Sequence, residues 1–291
     1  MHVYNNCVFS NLSSSGNGGA INIGSYSNEI SFYFCMFAYC SASFNGGAIY
    51  CSSQGDVFRM KRVCGFYCYS NSVGNVFPQF SHVLLTSKAI CEIEHTSILL
   101  CSPFYGHSIA VIRVEYGNQT VTNTNSSNNR LARHSAIDMF YSKKFLIDCS
   151  SFVNNTSSEW TALQFYLNDG LIYMSNIIGN NSPNSRGVFL FADSHINVDN
   201  CCILKNLNTL FDNRNKDYFT IRNSIIDSLT YIGYLPLTTS ITSTTSNFHT
   251  LNLYQSGFCK AESPLRLGSI AHNGVFTSNI FITNLIVFLI V

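Results

Sequence analysis

Asn45-Gly46-Gly47-Ala48-Ile49-Tyr50 repeats, at a distance of 28 positions, the earlier segment Asn17-Gly18-Gly19-Ala20-Ile21-Asn22. A Cys-x-Phe segment precedes each copy: Cys7-Val8-Phe9 the first and Cys35-Met36-Phe37 the second. Cys and Phe two positions apart point to the same face of an extended chain. The double glycine supplies backbone freedom for a corner, and Ala-Ile begins a new apolar run. The motif therefore predicts strand, corner and strand in a stacked solenoid.

The Phe position of the motif recurs along the chain with a period of about 28, as in other long repeats. The anchors of this period are Phe9, Phe37, Phe66, Ile93, Val121, Phe152, Ile178, Ile203 and Ile226. A polar corner such as Ser27-Asn28-Glu29 and a third apolar strand such as Ile30-Ser31-Phe32-Tyr33-Phe34 complete each unit. Three strands per period predict an all-β fold, a right-handed parallel β-helix of about nine coils. Asn side chains just past the anchors are expected to stack from coil to coil, at Asn11, Asn155, Asn181 and Asn206.

The composition excludes several partner classes. Only 11% of the 291 residues are charged and the formal net charge is +1, so nothing favours binding to nucleic acid or to an anionic membrane surface. Aromatic residues make up 14% of the chain. Aromatic and Asn-rich sequences favour strands and turns over helices.

Twelve cysteines are present, without the paired spacing of a zinc site. Two readings stay open for a row of them that shares one structural position: buried thiols acting as small hydrophobes, or disulfides formed in an oxidising compartment. We favour the thiols, because side chains stacked in parallel do not present the crossed geometry of a disulfide. The row consists of Cys7, Cys35, Cys64, Cys91 and Cys201.

Three regions follow from the pattern: a β-helix over residues 1–230, a cap or Ser/Thr-rich stem over 231–278, and an apolar tail over 279–291. The nearly all-apolar run from Ile280 to Val291 is twelve residues long, too short to span a bilayer. We interpret the tail as the start of a membrane anchor, with a buried final strand and a removable lipid-anchor signal as alternatives. The first residues lack a secretory signal and enter the repeat in mid-coil, which favours a beginning that lies upstream.

With the repeat in place, Gly18-Gly19-Ala20-Ile21 and Gly46-Gly47-Ala48-Ile49 resemble the GGAI motif of chlamydial polymorphic membrane proteins and of similar surface proteins of trichomonad protists. Phe152-Val153-Asn154-Asn155 matches the companion FxxN motif. The resemblance covers residues 1–230 and is closer to the protist type. It implies a right-handed parallel β-helix ectodomain, an adhesin-like role and a C-terminal membrane segment. It supplies no catalytic residues.

The chemistry-bearing residues show no catalytic pattern. Asp148 and Asp199 share a position in the repeat, but an intervening coil carries Met174 there. Glu92 and Glu94 could form a calcium pair only with a third carboxylate, so we interpret them as solvated surface charges. The histidines lack metal or triad spacing, at His82, His95, His107, His134, His195 and His249. The sequence therefore predicts no catalytic residue, no cofactor and no metal site.

The favoured function is a non-catalytic β-helix at the cell surface, anchored through its tail and binding host or cell-surface glycans or proteins. Asn-x-Ser/Thr sequons fit a glycoprotein, at Asn11, Asn118, Asn125, Asn154, Asn155 and Asn180. One alternative is a glycan-active β-helix enzyme with carboxylates converging on adjacent coils. Another is a fragment of a larger surface protein with no function of its own.

Overall fold

The computed structural model describes residues 1–24, 27–52, 55–71, 78–101, 110–131, 133–167, 169–182, 187–213, 218–233, 237–239 and 242–243. The described elements are all strands, and they form three long parallel sheets that run the length of a right-handed β-helix. Each coil contributes one strand to each sheet, and strands of adjacent coils pair in register. The predicted fold class is therefore confirmed.

Sheet I contains ten strands. They are β1 (His2–Asn5), β5 (Glu29–Tyr33), β9 (Val57–Lys61), β13 (Ile90–Glu94), β16 (Asn118–Thr122), β20 (Lys144–Asp148), β24 (Asp169–Tyr173), β27 (His195–Asp199), β30 (Tyr218–Arg222) and β33 (Leu237–Thr239). The burial of its strands alternates, as in β9, where Phe58 and Met60 are fully buried between more exposed neighbours. Alternation of this kind marks a sheet with one face in the core and the other towards solvent.

Sheet II also contains ten strands, most of them three residues long. They are β2 (Val8–Ser10), β6 (Met36–Ala38), β10 (Cys64–Phe66), β14 (Ser97–Leu99), β17 (Asn125–Ser127), β21 (Ser151–Val153), β25 (Asn176–Ile178), β28 (Cys202–Leu204), β31 (Ile225–Ile226) and β34 (Thr242–Ser243). β33 and β34 carry sheets I and II past residue 230, where the sequence pattern fades.

Sheet III contains nine strands, and it begins directly after the double-glycine corner in the first two coils. They are β4 (Ile21–Ile23), β8 (Ile49–Cys51), β12 (Ser81–Leu84), β15 (Ala110–Glu115), β19 (His134–Phe140), β23 (Thr161–Tyr166), β26 (Phe189–Ala192), β29 (Phe211–Asn213) and β32 (Tyr231–Gly233). Short strands lie between sheets II and III: β3 (Ser13–Ser14), β7 (Ser41–Ala42), β11 (Tyr69–Ser70), β18 (Arg130–Leu131) and β22 (Thr156–Ser157).

Left-handed residues flank the strands of sheet II and turn the chain on both sides. The residue two positions before each strand has φ between 43° and 56° in nine coils, as in Asn123 and Asn200. The residue just after the strand is left-handed in eight coils, as in Asn128, Asn154 and Gly179. Asn and Gly tolerate this conformation best, which explains why Asn recurs at the corners.

The register of sheet II confirms part of the predicted anchor series and corrects the rest. Its inward column reads Phe9, Phe37, Gly65, Ile98, Ser126, Phe152, Ile177, Ile203 and Ile226. The prediction is thus right for five anchors and one residue late at Phe66 and Ile178. It is wrong for Ile93 and Val121, which are buried in sheet I five residues upstream.

Gly65 explains why the series slips in the third coil. A Cβ at Gly65 would lie 2.4 Å from Cε2 of Phe80, whose ring fills this space. Phe80 in turn packs edge-on against Phe37, with ring centroids 5.9 Å apart. The aromatic ring that the repeat leads one to expect at residue 65 is therefore supplied by the segment leading into sheet III.

The predicted cysteine row is wrong at two positions. Cys7, Cys35 and Cys201 do share the position before sheet II, but Cys64 lies one residue further on and Cys91 belongs to sheet I. Five other coils place Thr or Ser there, and the thiol or hydroxyl donates to the carbonyl two residues earlier at 2.6–3.4 Å. The third coil has buried Val63 there, so the position favours a small side chain and does not require cysteine.

Free thiols account for most of the cysteines. Cys7, Cys35, Cys91 and Cys201 are all free, whereas Cys64 is disulfide-bonded. Burial raises the pKa of Cys35 to about 11 and that of Cys201 to about 12. The thiols of Cys35 and Cys201 therefore stay neutral and pack as small hydrophobic side chains.

Candidate functional site

A groove of about 500 Å³ runs along the corner that follows sheet II. We call it the amide groove. Nine of the described residues line it: Tyr67, Leu100, Asn128, Arg130, Asn154, Thr156, Gly179, Asn181 and Leu207. They come from six successive coils, so at one strand spacing per coil the groove extends over roughly 24 Å.

Two columns of side chains form its walls. The first column consists of the left-handed corner residues, including Asn128 and Asn154. The second column lies two residues later, where Arg130, Thr156 and Asn181 pair in parallel across adjacent coils. The residue between the two columns, such as Asn129 or Asn155, points into the core, so the two exposed columns lie on either side of it.

A buried amide ladder lies beneath the groove, at that intervening position. Nδ2 of each Asn donates to Oδ1 of the equivalent Asn on the next coil, over 2.9, 3.1 and 3.2 Å. Each Oδ1 also accepts from a backbone N–H of the neighbouring coil, as in Asn155 N to Asn180 Oδ1 at 3.0 Å. The ladder consists of Asn129, Asn155, Asn180 and Asn206.

The predicted Asn stack is therefore right in kind and wrong in two of its members. Asn155 and Asn206 take part, but Asn180 replaces Asn181, because the anchor of that coil is one residue earlier than predicted. Asn11 lies at an exposed left-handed corner and donates to Ser10 Oγ at 3.2 Å. Cys40, Cys68 and Cys101 occupy the ladder position in earlier coils and are fully buried.

The exposed amides of the groove are open to a ligand. The side chains of Asn128 and Asn154 make no hydrogen bond to another residue that the structure describes. Gly179 keeps room for Asn154, since a Cβ at Gly179 would lie 2.4 Å from Oδ1 of Asn154. Among the described lining residues Arg130 carries the only full charge, and it is exposed. The groove thus offers neutral donors and acceptors in a row.

Burial separates five of the six sequons into two groups, and half-buried Asn125 belongs to neither. Asn155 and Asn180 are fully buried in the ladder with their amides hydrogen-bonded, so the folded chain presents neither of them for modification. Asn11, Asn118 and Asn154 are exposed, and Asn154 lies in the groove.

Three glutamates of sheet I are paired with cations on its outer face. Arg59 bridges Glu29 and Glu92, over 2.8 and 2.6 Å. Glu94 binds Lys61 at 2.8 Å, and this contact lowers the pKa of the Glu94 carboxyl. Glu92 and Glu94 are therefore partners in surface ion pairs, and no group of three metal-binding side chains occurs among the described residues.

Asp148 and Asp199 share a register position in sheet I and are separated by one intervening coil, as predicted, but the intervening residue is not the predicted one. In sheet I the residue between them is Tyr173, not Met174, which is a left-handed corner residue. Of the histidines, His82, His95 and His195 contact carboxylates, at 2.9, 3.1 and 2.8 Å. His107 and His249 lie outside the described residues, and the side chain of His134 is not described.

A charged cluster on sheet III was not predicted. His82, Arg113 and Asp138 hold the same register position on three adjacent strands. Arg113 donates to Glu115 at 2.7 Å and to Asp138 at 2.6 Å, and His82 lies 2.9 Å from the same Glu115 oxygen. The guanidinium also lies over the ring of Phe140, at 4.5 Å from its centroid.

The pKa values of the two carboxyls of this cluster differ widely. Burial raises the pKa of Asp138 to about 6 against the opposing charge of Arg113, and Asp138 Oδ1 has no hydrogen-bond partner. Burial would also raise the pKa of Glu115, but hydrogen bonds from His82 and Arg113 lower it to about 2. Asp138 is fully buried, so the pair as it stands is closed to a substrate.

Comparison with known proteins gives no relative. No family model, no curated protein and no solved structure matches this chain. Within the part of the chain that the structure describes, no helix is long and apolar enough to cross a membrane.

Proposed function

We propose that this chain is a non-catalytic β-helix displayed at a cell surface, where it binds surface glycans or proteins through the amide groove. The observation that carries the proposal is the row of unpaired amides at Asn128 and Asn154, beside Arg130, in a groove without a carboxylate among its described lining residues. Polar side chains placed on rigid strands and corners suit recognition. The surface location rests on the motif resemblance and the apolar tail.

Localisation tests the cellular half of the proposal. Antibodies against the folded chain are applied to intact and to permeabilised cells that express the full-length product. Labelling of intact cells is expected, and labelling that needs permeabilisation would refute the surface location. Beads coated with the chain should bind cell surfaces, and Asn128→Asp should weaken that binding.

A second candidate is a glycan-active enzyme, and one observation favours it. Glu115 and Asp138 converge on Arg113 from adjacent coils, with pKa values of about 2 and about 6. Two neighbouring carboxyls whose pKa values differ this much can divide the roles of base and acid. Polysaccharide cleavage that is lost in Glu115→Gln and in Asp138→Asn would establish this function in place of the first.

A further inference from the structure

We propose that the amide groove binds a neutral, extended, β-linked hexose chain that lies parallel to the axis of the β-helix. The inference rests on the proposed function and names the class of ligand. Its basis is the spacing, the charge and the chemistry of the lining side chains.

The spacing comes from the fold. Equivalent side chains such as Asn128 and Asn154 are on adjacent coils, so they repeat at about 4.8 Å. An extended β-1,4-linked hexose chain advances by roughly one strand spacing per sugar and turns over at each step, so every second sugar presents the same edge to every second coil. An extended peptide repeats on one face about every 6.7 Å and would drift out of phase within a few residues.

The charge of the groove argues against polyanions. Arg130 is the one fully charged residue among the described lining residues. Nucleic acids and polyuronates carry a charge on every unit, and their binding sites match them with several cations. A neutral polymer needs none of these cations.

The lining chemistry fits a sugar ring. Hydroxyl groups both donate and accept hydrogen bonds, and so does each amide of Asn128 and Asn154. The Oδ1 of Asn181 already accepts from Asn208 at 2.7 Å, which leaves its amide donors. Tyr67, Leu100 and Leu207 add apolar surface for the C–H faces of the rings. The corner amides are also presented on a backbone that the buried ladder holds in place, which limits the entropy lost on binding.

The test is calorimetric titration of the full chain with β-1,4-linked glucose oligomers of two to six units. Affinity should rise with each added unit up to about the number of coils that line the groove. Asn128→Asp and Asn154→Asp should each weaken hexamer binding about tenfold, because each loses a donor. Asn123→Asp is the matched control, since Asn123 is a left-handed corner residue of the same coil outside the groove. It should leave the affinity unchanged.

Three results would overturn the inference: no binding of any hexose oligomer, equal loss in Asn123→Asp, or preference for a hexagalacturonate or an extended hexapeptide. Binding of coated beads to cells is measured with the same variants. If Asn128→Asp weakens cell binding while no hexose oligomer binds, the proposed function stands and the ligand class is wrong. If hexose oligomers bind but the chain is absent from the cell surface, the ligand class stands and the proposed location is wrong.

Discussion

Asn155 Nδ2 donates to Oδ1 of Asn180 over 3.1 Å, and both side chains are fully buried. Asn155 Nδ2 also donates to the backbone carbonyl of Ser126 at 2.8 Å. One amide thus contacts the coils on both sides of its own. The contact links the interior of the fold to the corner that carries the proposed binding groove.

Removing this amide should destabilise the middle of the solenoid. Asn155→Ala removes the side-chain acceptor of the buried Asn129 backbone N–H, one acceptor of Asn129 Nδ2 and one of the two donors to Asn180 Oδ1, at a cost of about 2 to 4 kcal/mol. Urea unfolding measures the free energy of unfolding. Asn118→Ala, at an exposed strand end, is the control and should change it by less than about 0.5 kcal/mol. Equal losses in the two variants would contradict the ladder.

The core of sheet II gives a second prediction. Phe37 is fully buried and stacks on Phe9 with ring centroids 4.8 Å apart. Phe37→Ala should cost about 3 to 5 kcal/mol of unfolding free energy. Met36→Thr, at the half-buried neighbouring position, should cost less than about 1 kcal/mol. If both changes cost the same, the inward column is misassigned.

The glycine corner gives a third prediction. Gly46 has φ +63°, and a Cβ there would lie 1.9 Å from the carbonyl oxygen of Ile49. Gly46→Ala should therefore lower the unfolding free energy by at least about 2 kcal/mol. At Gly24 an added Cβ meets nothing within 4 Å, so Gly24→Ala should be almost neutral. A tolerated Gly46→Ala would show that the corner has another conformation.

The charged cluster gives a prediction on pH. The folded-state pKa of Asp138, about 6, lies above its ordinary 3.8, so the stability this group contributes is present below about pH 3.8 and is lost as pH rises through 6. Two pKa units correspond to about 3 kcal/mol. The unfolding free energy of the wild type relative to Asp138→Asn should fall by about that amount between about pH 3 and 7.

Glu115→Gln provides the opposite case. The pKa of Glu115 falls from 4.5 to about 2, so its contribution is present above pH 4.5 and is lost as pH falls towards 2. Relative to Glu115→Gln, the wild type should therefore gain stability as pH rises from 2 to 4.5 and change little above that. A flat difference for both variants over the whole range would contradict the assignment of the two pKa values.

Sequence periodicity predicted the fold class because it depends on many positions at once. The three-strand coil, the double-glycine corner and five of the nine anchors follow from apolar residues spaced at even intervals. The register failed where a local substitution broke the pattern. Gly65 occupies an inward position that Phe80 fills from elsewhere, and Ile177 and Ile178 are both apolar, so the pattern could not choose between them.

The binding groove and the charged cluster could not be predicted from the same pattern. The groove needs side chains two positions apart, the first at a left-handed corner residue, to stand on either side of an inward-facing residue. The signal that could have found it is the recurrence of Asn after the anchor, at Asn128 and Asn154. The cluster joins His82, Arg113 and Asp138, whose separations in sequence are unequal because the coils differ in length. Only the register of sheet III brings them together.

Photo-crosslinking at the groove tests the central claim most directly. In one variant a photo-reactive amino acid replaces exposed Arg130 in the groove. In the control it replaces exposed Lys144, the first residue of β20, outside the groove. Each protein is bound to intact cells, irradiated and analysed for adducts. We predict adducts with surface glycans or glycoproteins from position 130 and none from position 144. Adducts from position 144 alone, or from both positions equally, would contradict the amide groove as the interaction site.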